Sequence, residues 1–200
     1  YKLNIENKEI RFFSPSELSV GRINSFFTKE PETLDWIKKF DKLEDNIFWD
    51  IGANIGLYSI YSKIVNEKLK VISFEPSTFN LNLLSRNISI NSFEKNIHIF
   101  PIPLSDKKNY FSIFEETYLF EGGSMSTFDN NFGFDGKLIN AQNKSNIFGT
   151  NIDELINSKI LEVPNYIKID VDGMEHLILS GAKETLKNKK IKSILIELNL

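Results

Sequence analysis

Asp50-Ile51-Gly52-Ala53-Asn54-Ile55-Gly56 decides how this chain reads. The apolar run Ile47-Phe48-Trp49 leads into it, and the helix-like run 57–65 leaves it. Strand, glycine turn and helix in that order aim a helix N-terminus and free backbone N–H groups at a ligand. Gly52 and Gly56 lack a β-carbon, so the chain can turn sharply and a ligand can approach the backbone. Asp50, at the strand end, adds a negative charge, which suits a nucleotide-like ligand with a cationic end.

The pattern D-x-G-x-N-x-G resembles motif I of S-adenosylmethionine-dependent methyltransferases. The competing reading is a dinucleotide site, whose fingerprint is G-x-G-x-x-G with pyrophosphate over the helix N-terminus. Here the spacing is G-x-x-x-G and an Asp precedes the first glycine. A carboxylate beside pyrophosphate is unfavourable, whereas beside the ammonium of a methionine moiety it is favourable. An ordinary strand–helix turn is the bland alternative.

The 200 residues suit one domain with a small N-terminal extension, residues 1–45, packed on a core domain, residues 46–200. The apolar fraction of 41% and the 17 phenylalanines suffice for a real core. A net charge of −3 without a basic block argues against a nucleic-acid grip. The absence of cysteine removes disulfides, zinc–thiolate sites and cysteine nucleophiles, and fits a reducing, cytoplasmic location. No apolar run is long enough to span a bilayer. The chain begins at Tyr1, not Met, so the lack of a visible leader carries no weight.

Residues 1–13 alternate as a β-hairpin around Glu6-Asn7-Lys8. Residues 31–40 have helical spacing at Leu34, Ile37 and Phe40, started by Thr28 or Pro31, and suit a helix covering one sheet edge, with Glu30-Pro31 close to the glycine turn. A second strand, 71–74, ends in Glu75-Pro76. Glu75 stands about 20 residues beyond the turn, where a nucleotide fold places the acid that binds ribose hydroxyls. Ser77 or Thr78 caps a helix whose Leu81, Leu84 and Ile88 share a face.

Residues 97–102 form the third strand, with His98 a core or edge residue. The loop Leu104-Ser105-Asp106 passes the adenine in such a fold, or simply builds a turn. Residues 110–114 and 117–120 read as extra strands, followed by a loop to about Asn146 that covers the acceptor pocket. Residues 150–156 form a short helix begun by Thr150 or Asn151, and 166–169 the fourth strand. Asp170, at its carboxyl end, lies beside the switch point where such sheets bind ligands. Asp172 and Glu175 have the spacing of a capping box. Residues 194–196 form the fifth strand.

Taken together, the run Phe48 to Gly56, Phe74-Glu75-Pro76-Ser77, the run Tyr166 to Glu175, Ser180-Gly181-Ala182 and Ile196-Glu197-Leu198 resemble the FkbM family of methyltransferases over roughly residues 28–199. Gly122-Gly123-Ser124 resembles a further element of that family. The resemblance implies a class I methyltransferase fold: α/β, Rossmann-like, a mostly parallel sheet with helices on both faces. It also implies S-adenosylmethionine as cofactor and O-methylation of a sugar, glycan or secondary-metabolite hydroxyl. Two departures are Asp172, where the family more often has Glu, and Met174, where it more often has a small residue. The fold implies two further strands after the fifth, and this chain stops at Leu200, so missing sequence or a homo-oligomer through the fifth-strand edge is expected.

The expected cofactor-binding set is Asp50, Gly52, Asn54, Gly56, Glu75, Pro76, Ser105, Asp106 and Asp170. The expected catalytic set is Asp170, Glu175 and His176, any of which could take the hydroxyl proton. No metal is expected; a magnesium set of Asp170, Glu197 and Asn199 is the alternative. The expected partner is a small-molecule or glycan acceptor. An NAD- or nucleotide-binding oxidoreductase and a non-catalytic cofactor-fold module are the other readings.

Overall fold

The computed structural model describes residues 1–133 and 135–197. Its N-terminal hairpin pairs β1 (Lys2–Ile5) with β2 (Lys8–Arg11) in antiparallel register. The turn residues Glu6 and Asn7 both have positive φ, 47° and 62°, the twist that a two-residue hairpin turn needs. Helix α1 (Glu17–Lys29) follows, closed at its start by a Ser16–Ser19 capping box. The sequence reading did not expect α1, because its buried face is only Ser19, Ile23 and Phe26. Helix α2 (Pro31–Lys38) starts at Pro31, the N1 position where a missing N–H costs nothing.

The core then alternates: β3 (Ile47–Ile51), α3 (Leu57–Val65), β4 (Lys70–Phe74), α4 (Thr78–Ile90) and β5 (Ile97–Phe100). An insertion adds β6 (Tyr110–Glu116), β7 (Ser126–Phe128) and β8 (Asn143–Gly149). The chain closes with α5 (Ile152–Asn157), β9 (Tyr166–Ile169), α6 (Glu175–Ser180) and β10 (Ser193–Ile196). The main sheet has the order β10-β9-β3-β4-β5, and every pairing in it is parallel. Strand order reverses between β3 and β9, so the ligand-binding crevice belongs at their carboxyl ends.

Both sheet faces are covered, which is why the strands read as continuous apolar runs. Phe48, Val71, Ile97 and Tyr166 face a core shared with the hairpin, α1, α2, α3 and α4. Trp49, Ile72, Phe74 and Ile167 face α5 and α6 through Ile152, Leu155 and Ile178. Helix α2 lies over the β10–β9 side: the Phe40 ring stacks on Tyr166 at 3.7 Å, and Trp36 Nε1 donates to Ser193 Oγ at 2.6 Å. That is the edge-covering helix the spacing predicts.

Several local expectations change. Residues 117–120 are not a strand, and the supposed loop to Asn146 contains β7 and the start of β8. β8 is hidden in sequence because Asn143, Lys144, Ser145 and Asn146 are polar; pairing with β6, Tyr110 opposite Gly149 through Glu116 opposite Asn143, makes it a strand. On α4 the buried face is Leu83, Leu84, Asn87 and Ile88 rather than Leu81. Asn87 is drawn in because its amide donates to Ile55 O and accepts from Phe13 N. Ser77 holds the N-cap position without a side-chain bond. His98 is exposed on β5, the edge strand.

Candidate active site

The glycine turn sits at the switch point. Gly52 and Gly56 have φ of 83° and 89°. A β-carbon on Gly52 would lie 1.8 Å from the Asp170 carbonyl oxygen, and one on Gly56 2.6 Å from Leu84 Cδ1. The glycines therefore admit the protein's own neighbours, not only a ligand. The turn's N–H groups are also used internally. Gly52 and Ala53 donate to Phe74 O at 3.0 and 2.9 Å, and Asn54 donates to Glu75 Oε2 at 2.8 Å. Ile55 donates to Asn54 Oδ1 and Gly56 to Ala53 O. The expected free N–H cradle is absent within this turn because the end of β4 is tucked beneath it.

A cleft of about 600 Å³ opens above the strand ends, lined by Gly52, Asn54, Glu75, Pro76, Leu104 and Asp170. Glu75 is buried, accepting from Asn54 N and from Ser77 N at 2.9 Å. Burial pushes its carboxyl up to about 7, against the pull of the Ser77 and Asn54 N–H groups. Of the loop expected near an adenine, only Leu104 lines the cleft, beside Ile102 and Pro103 that precede it; the expected cofactor residues Ser105 and Asp106 do not. The Ser105 hydroxyl pairs with Tyr110 at 2.7 Å and accepts from Lys107 N, which is the turn-building role.

A second cleft, of about 450 Å³, meets the first at Gly52, Asn54 and Asp170. Its far wall carries Arg22 and Lys29 from α1, Glu30 between α1 and α2, and Tyr58 from α3. Tyr58 OH donates to Glu30 Oε2 at 2.8 Å, and Lys29 lies 2.8 Å from Glu30 Oε1. Sequence reasoning placed Glu30 near the turn and missed Arg22, Lys29 and Tyr58. Arg22 and Lys29 meet the turn only through tertiary packing, whereas Tyr58 lies in the first turn of the helix that follows it.

Asp50 lines neither cleft. Strand alternation turns it, with Phe48, toward α3, where Oδ2 accepts from Ser59 Oγ at 2.5 Å and Oδ1 is buried without a partner. Burial pushes its carboxyl up, against the attraction of Lys168. Lys168, its register partner on β9, is 1% exposed and bonds Asp170 Oδ2 at 2.6 Å. Burial alone would raise Asp170, yet Lys168 and the hydrogen bond with Glu197 hold it far below the usual carboxylate range. That same hydrogen bond, with burial, pushes Glu197 up to about 8.

Glu30, Asp170 and Glu197 bring carboxylate oxygens within 4.8 Å of one another. Lys29 pairs with Glu30 and Lys168 with Asp170. Asn199, the third member of the magnesium alternative, lies outside the described residues.

The segment Glu121 to Met125 crosses between α1, the glycine turn and the end of β9. Arg22 Nε donates to Gly122 O at 2.6 Å, Asn54 and Asn80 amides donate to Gly123 O at 2.8 and 3.1 Å, and Met125 N donates to Asp172 Oδ2 at 2.7 Å. It forms a strap over the first cleft, with Gly123 and Ser124 in the lining. The side chain of Asn54 thus ties the strap down.

Asp172 is not a helix cap. Its φ is 58°, and Met174 occupies the N-cap of α6. The Glu175 carboxylate instead accepts from Val171 N at 3.0 Å and Gly173 N at 3.1 Å, closing the turn before its own helix. His176 is exposed and lines neither cleft. Of the expected catalytic set, only Asp170 borders the cavities.

Residues 50–200 match the family described as Methyltransferase FkbM domain. The chain belongs to the FkbM methyltransferase family. Among curated relatives, this FkbM chain is 26% identical over 191 residues to Methyltransferase sdnD of Sordaria araneosa, covering 84% of this chain and 73% of that one. It is 25% identical over 158 residues to Hexuronic acid methyltransferase AglP of Haloferax volcanii, covering 78% and 57%. A crystal structure of an FkbM methyltransferase from Methylobacillus flagellatus KT superposes with a TM-score of 0.52 at 19% identity, covering 92% of this chain and 44% of that one. A precorrin-6Y C5,15-methyltransferase from Geobacter metallireducens GS-15 gives 0.50 at 16% identity, covering 92% and 67%. These likenesses fix the fold of the FkbM domain as the Rossmann-like class I methyltransferase type. The chain spans 57% of AglP and 44% of the Methylobacillus chain.

Proposed function

We propose that the protein transfers a methyl group from S-adenosylmethionine to a hydroxyl of a sugar, glycan or related metabolite. The observation that carries this reading is the charge pattern around the glycine turn: its own N–H groups are spent, and Glu75 and Asp170 stand on either side of it. Pyrophosphate would have two acids to avoid, which with the G-x-x-x-G spacing disfavours the dinucleotide reading.

A nucleoside with a cationic amino-acid tail fits the donor set. Glu75, with lone pairs to spare beyond its two N–H partners, would accept from ribose hydroxyls, and Ile102, Pro103 and Leu104 would flank a base. Asp170 and Glu30 would hold the tail's ammonium in the role the sequence assigned to Asp50. The uncapped first turn of α3, opening at Leu57 and Tyr58, with Arg22 and Lys29 opposite, would hold its carboxylate. Bound there, S-adenosylmethionine supplies a methyl group already activated on a sulfonium, so the chain's main task is alignment, worth up to about 7–11 kcal/mol. The named activity of AglP on a hexuronic acid supports a sugar acceptor.

Calorimetry with S-adenosylmethionine and with NAD tests the donor, with affinity for the first alone expected. Asp170→Ala should lower that affinity at least about tenfold, the scale of one lost charged contact. A screen with tritium-labelled methyl donor against glycan and metabolite pools tests the acceptor. NAD binding would favour the oxidoreductase; donor binding with no transfer to any pool would leave a cofactor-fold module.

A further inference from the structure

We propose that Asp172 takes the proton of the acceptor hydroxyl during methyl transfer. The inference rests on the methyltransferase reading above and adds the group that completes the reaction.

The first cleft is bordered by three carboxylates, Glu75, Asp170 and Asp172. Glu75 is turned toward the ends of β4 and the glycine turn by Ser77 N and Asn54 N. Asp170 is committed to Lys168 at 2.6 Å, and a carboxylate held by a buried ammonium is a weak base. Asp172 differs from both. Its Oδ2 accepts from Met125 N at 2.7 Å, and among the described residues Oδ1 has no hydrogen-bond partner. The neighbouring acid and imidazole are elsewhere: Glu175 closes its own turn, and His176 faces outward.

The backbone here is held in an uncommon state. Asn54 and Asp172 line this cleft with φ of 50° and 58°, and Met125, on the strap between Ser124 and Ser126, has φ 61°. Such conformations persist where surrounding bonds over-determine them, and they gather at working sites. The bonds are those of the strap: Asn54 Nδ2 to Gly123 O and Met125 N to Asp172 Oδ2. The strap thereby fixes Asp172 through Oδ2 within the lining that also carries Ser124 and Ser126.

The step balances. The acceptor oxygen forms a bond to the methyl carbon as the carbon–sulfur bond breaks, its electron pair passing to sulfur and leaving a neutral thioether. The hydroxyl proton passes to Asp172 Oδ1, and the resulting carboxylic acid returns it to water after product leaves.

Asp172→Asn and Asp172→Glu test this, assayed with tritium-labelled S-adenosylmethionine and the acceptor pool that the wild type methylates. Asparagine tolerates positive φ and can still accept from Met125 N, so it keeps the strap but not the base. The expected result is a fall in kcat of about 10²–10⁴-fold with donor Kd within about twofold, and partial recovery in Asp172→Glu. Turnover within about threefold of wild type in Asp172→Asn would overturn the proposal. So would equal loss in both variants, because Asp172→Glu restores the carboxylate and should recover turnover if that group is the base, or a parallel loss of donor affinity, which places it in the donor site. Failure of the wild type to bind the donor is a different result and removes the methyltransferase reading itself.

Discussion

Both oxygens of Glu75 already hold backbone N–H groups, and burial still raises its carboxyl to about 7. Because the folded value lies above the ordinary 4.5, the native state holds more protons than the unfolded chain between those values. The contribution of this group to stability is fully present below about pH 4.5 and is lost as pH rises through about 7. Ribose recognition runs the other way, since it needs the ionised acceptor. Glu75→Gln leaves one of the two N–H groups facing an amide nitrogen that cannot accept, so it should weaken donor binding at least about tenfold, read by calorimetry. Wild-type donor affinity should also rise with pH across neutrality. The spacing from the glycine turn picked out Glu75, which lines the first cleft. It could not rank Asp50 against Asp170, because the direction of a strand's side chains relative to a crevice depends on which neighbours flank it. Lys168, inside an apolar-looking run, gave no signal at all.

At the scale of elements, α2 does more than cover an edge. Phe40 stacks on Tyr166 with the ring planes 7° apart, and Asp41 N donates to Tyr166 OH at 2.9 Å, so the segment leading into β3 is fastened to β9. Phe40→Ala should cost about 3–5 kcal/mol in urea unfolding, as expected for a buried aromatic removed from a packed core. A cost under about 1 kcal/mol would mean the segment is not part of the cooperative core. Elements with their own apolar period, β3, α3, β4 and β9, were legible from sequence, and α3 and β9 have the bounds expected. Helix α1 and strands β7 and β8 were not. Their stability comes from contacts with partners far along the chain, such as the Ser16 hydroxyl donating to Glu121 O at 2.6 Å.

At the scale of the whole molecule, the N-terminal hairpin and helices share one buried cluster with α3, α4 and the sheet, while a second cluster fills the opposite face. Residues 1–45, expected as an extension, should consequently unfold together with 46–200. Trp36 on α2 and Trp49 on β3 report the two parts. Single-tryptophan variants, Trp49→Phe and Trp36→Phe, should show fluorescence transitions with the same dependence on unfolding as far-UV circular dichroism recorded on each variant. A separate, earlier Trp36 transition would divide the chain near residue 45. Both clefts lie where the strand order reverses, so the glycine turn belongs at once to the Glu75 side and to the α1–α2 side. Among the described residues no helix is long and apolar enough to cross a membrane.

The sequence by itself determined the parallel α/β core, the position of the crevice and the family, because periodicity, glycine spacing and strand-end acids are local and survive without partners. Only the tertiary structure decided which acids face the cavities, that α1 supplies the far wall, and that a polar segment 69 residues beyond Asn54 of the glycine turn becomes a strap over it. Those outcomes depend on which distant groups are brought within hydrogen-bonding distance, about 3 Å, and spacing along a chain does not encode that distance.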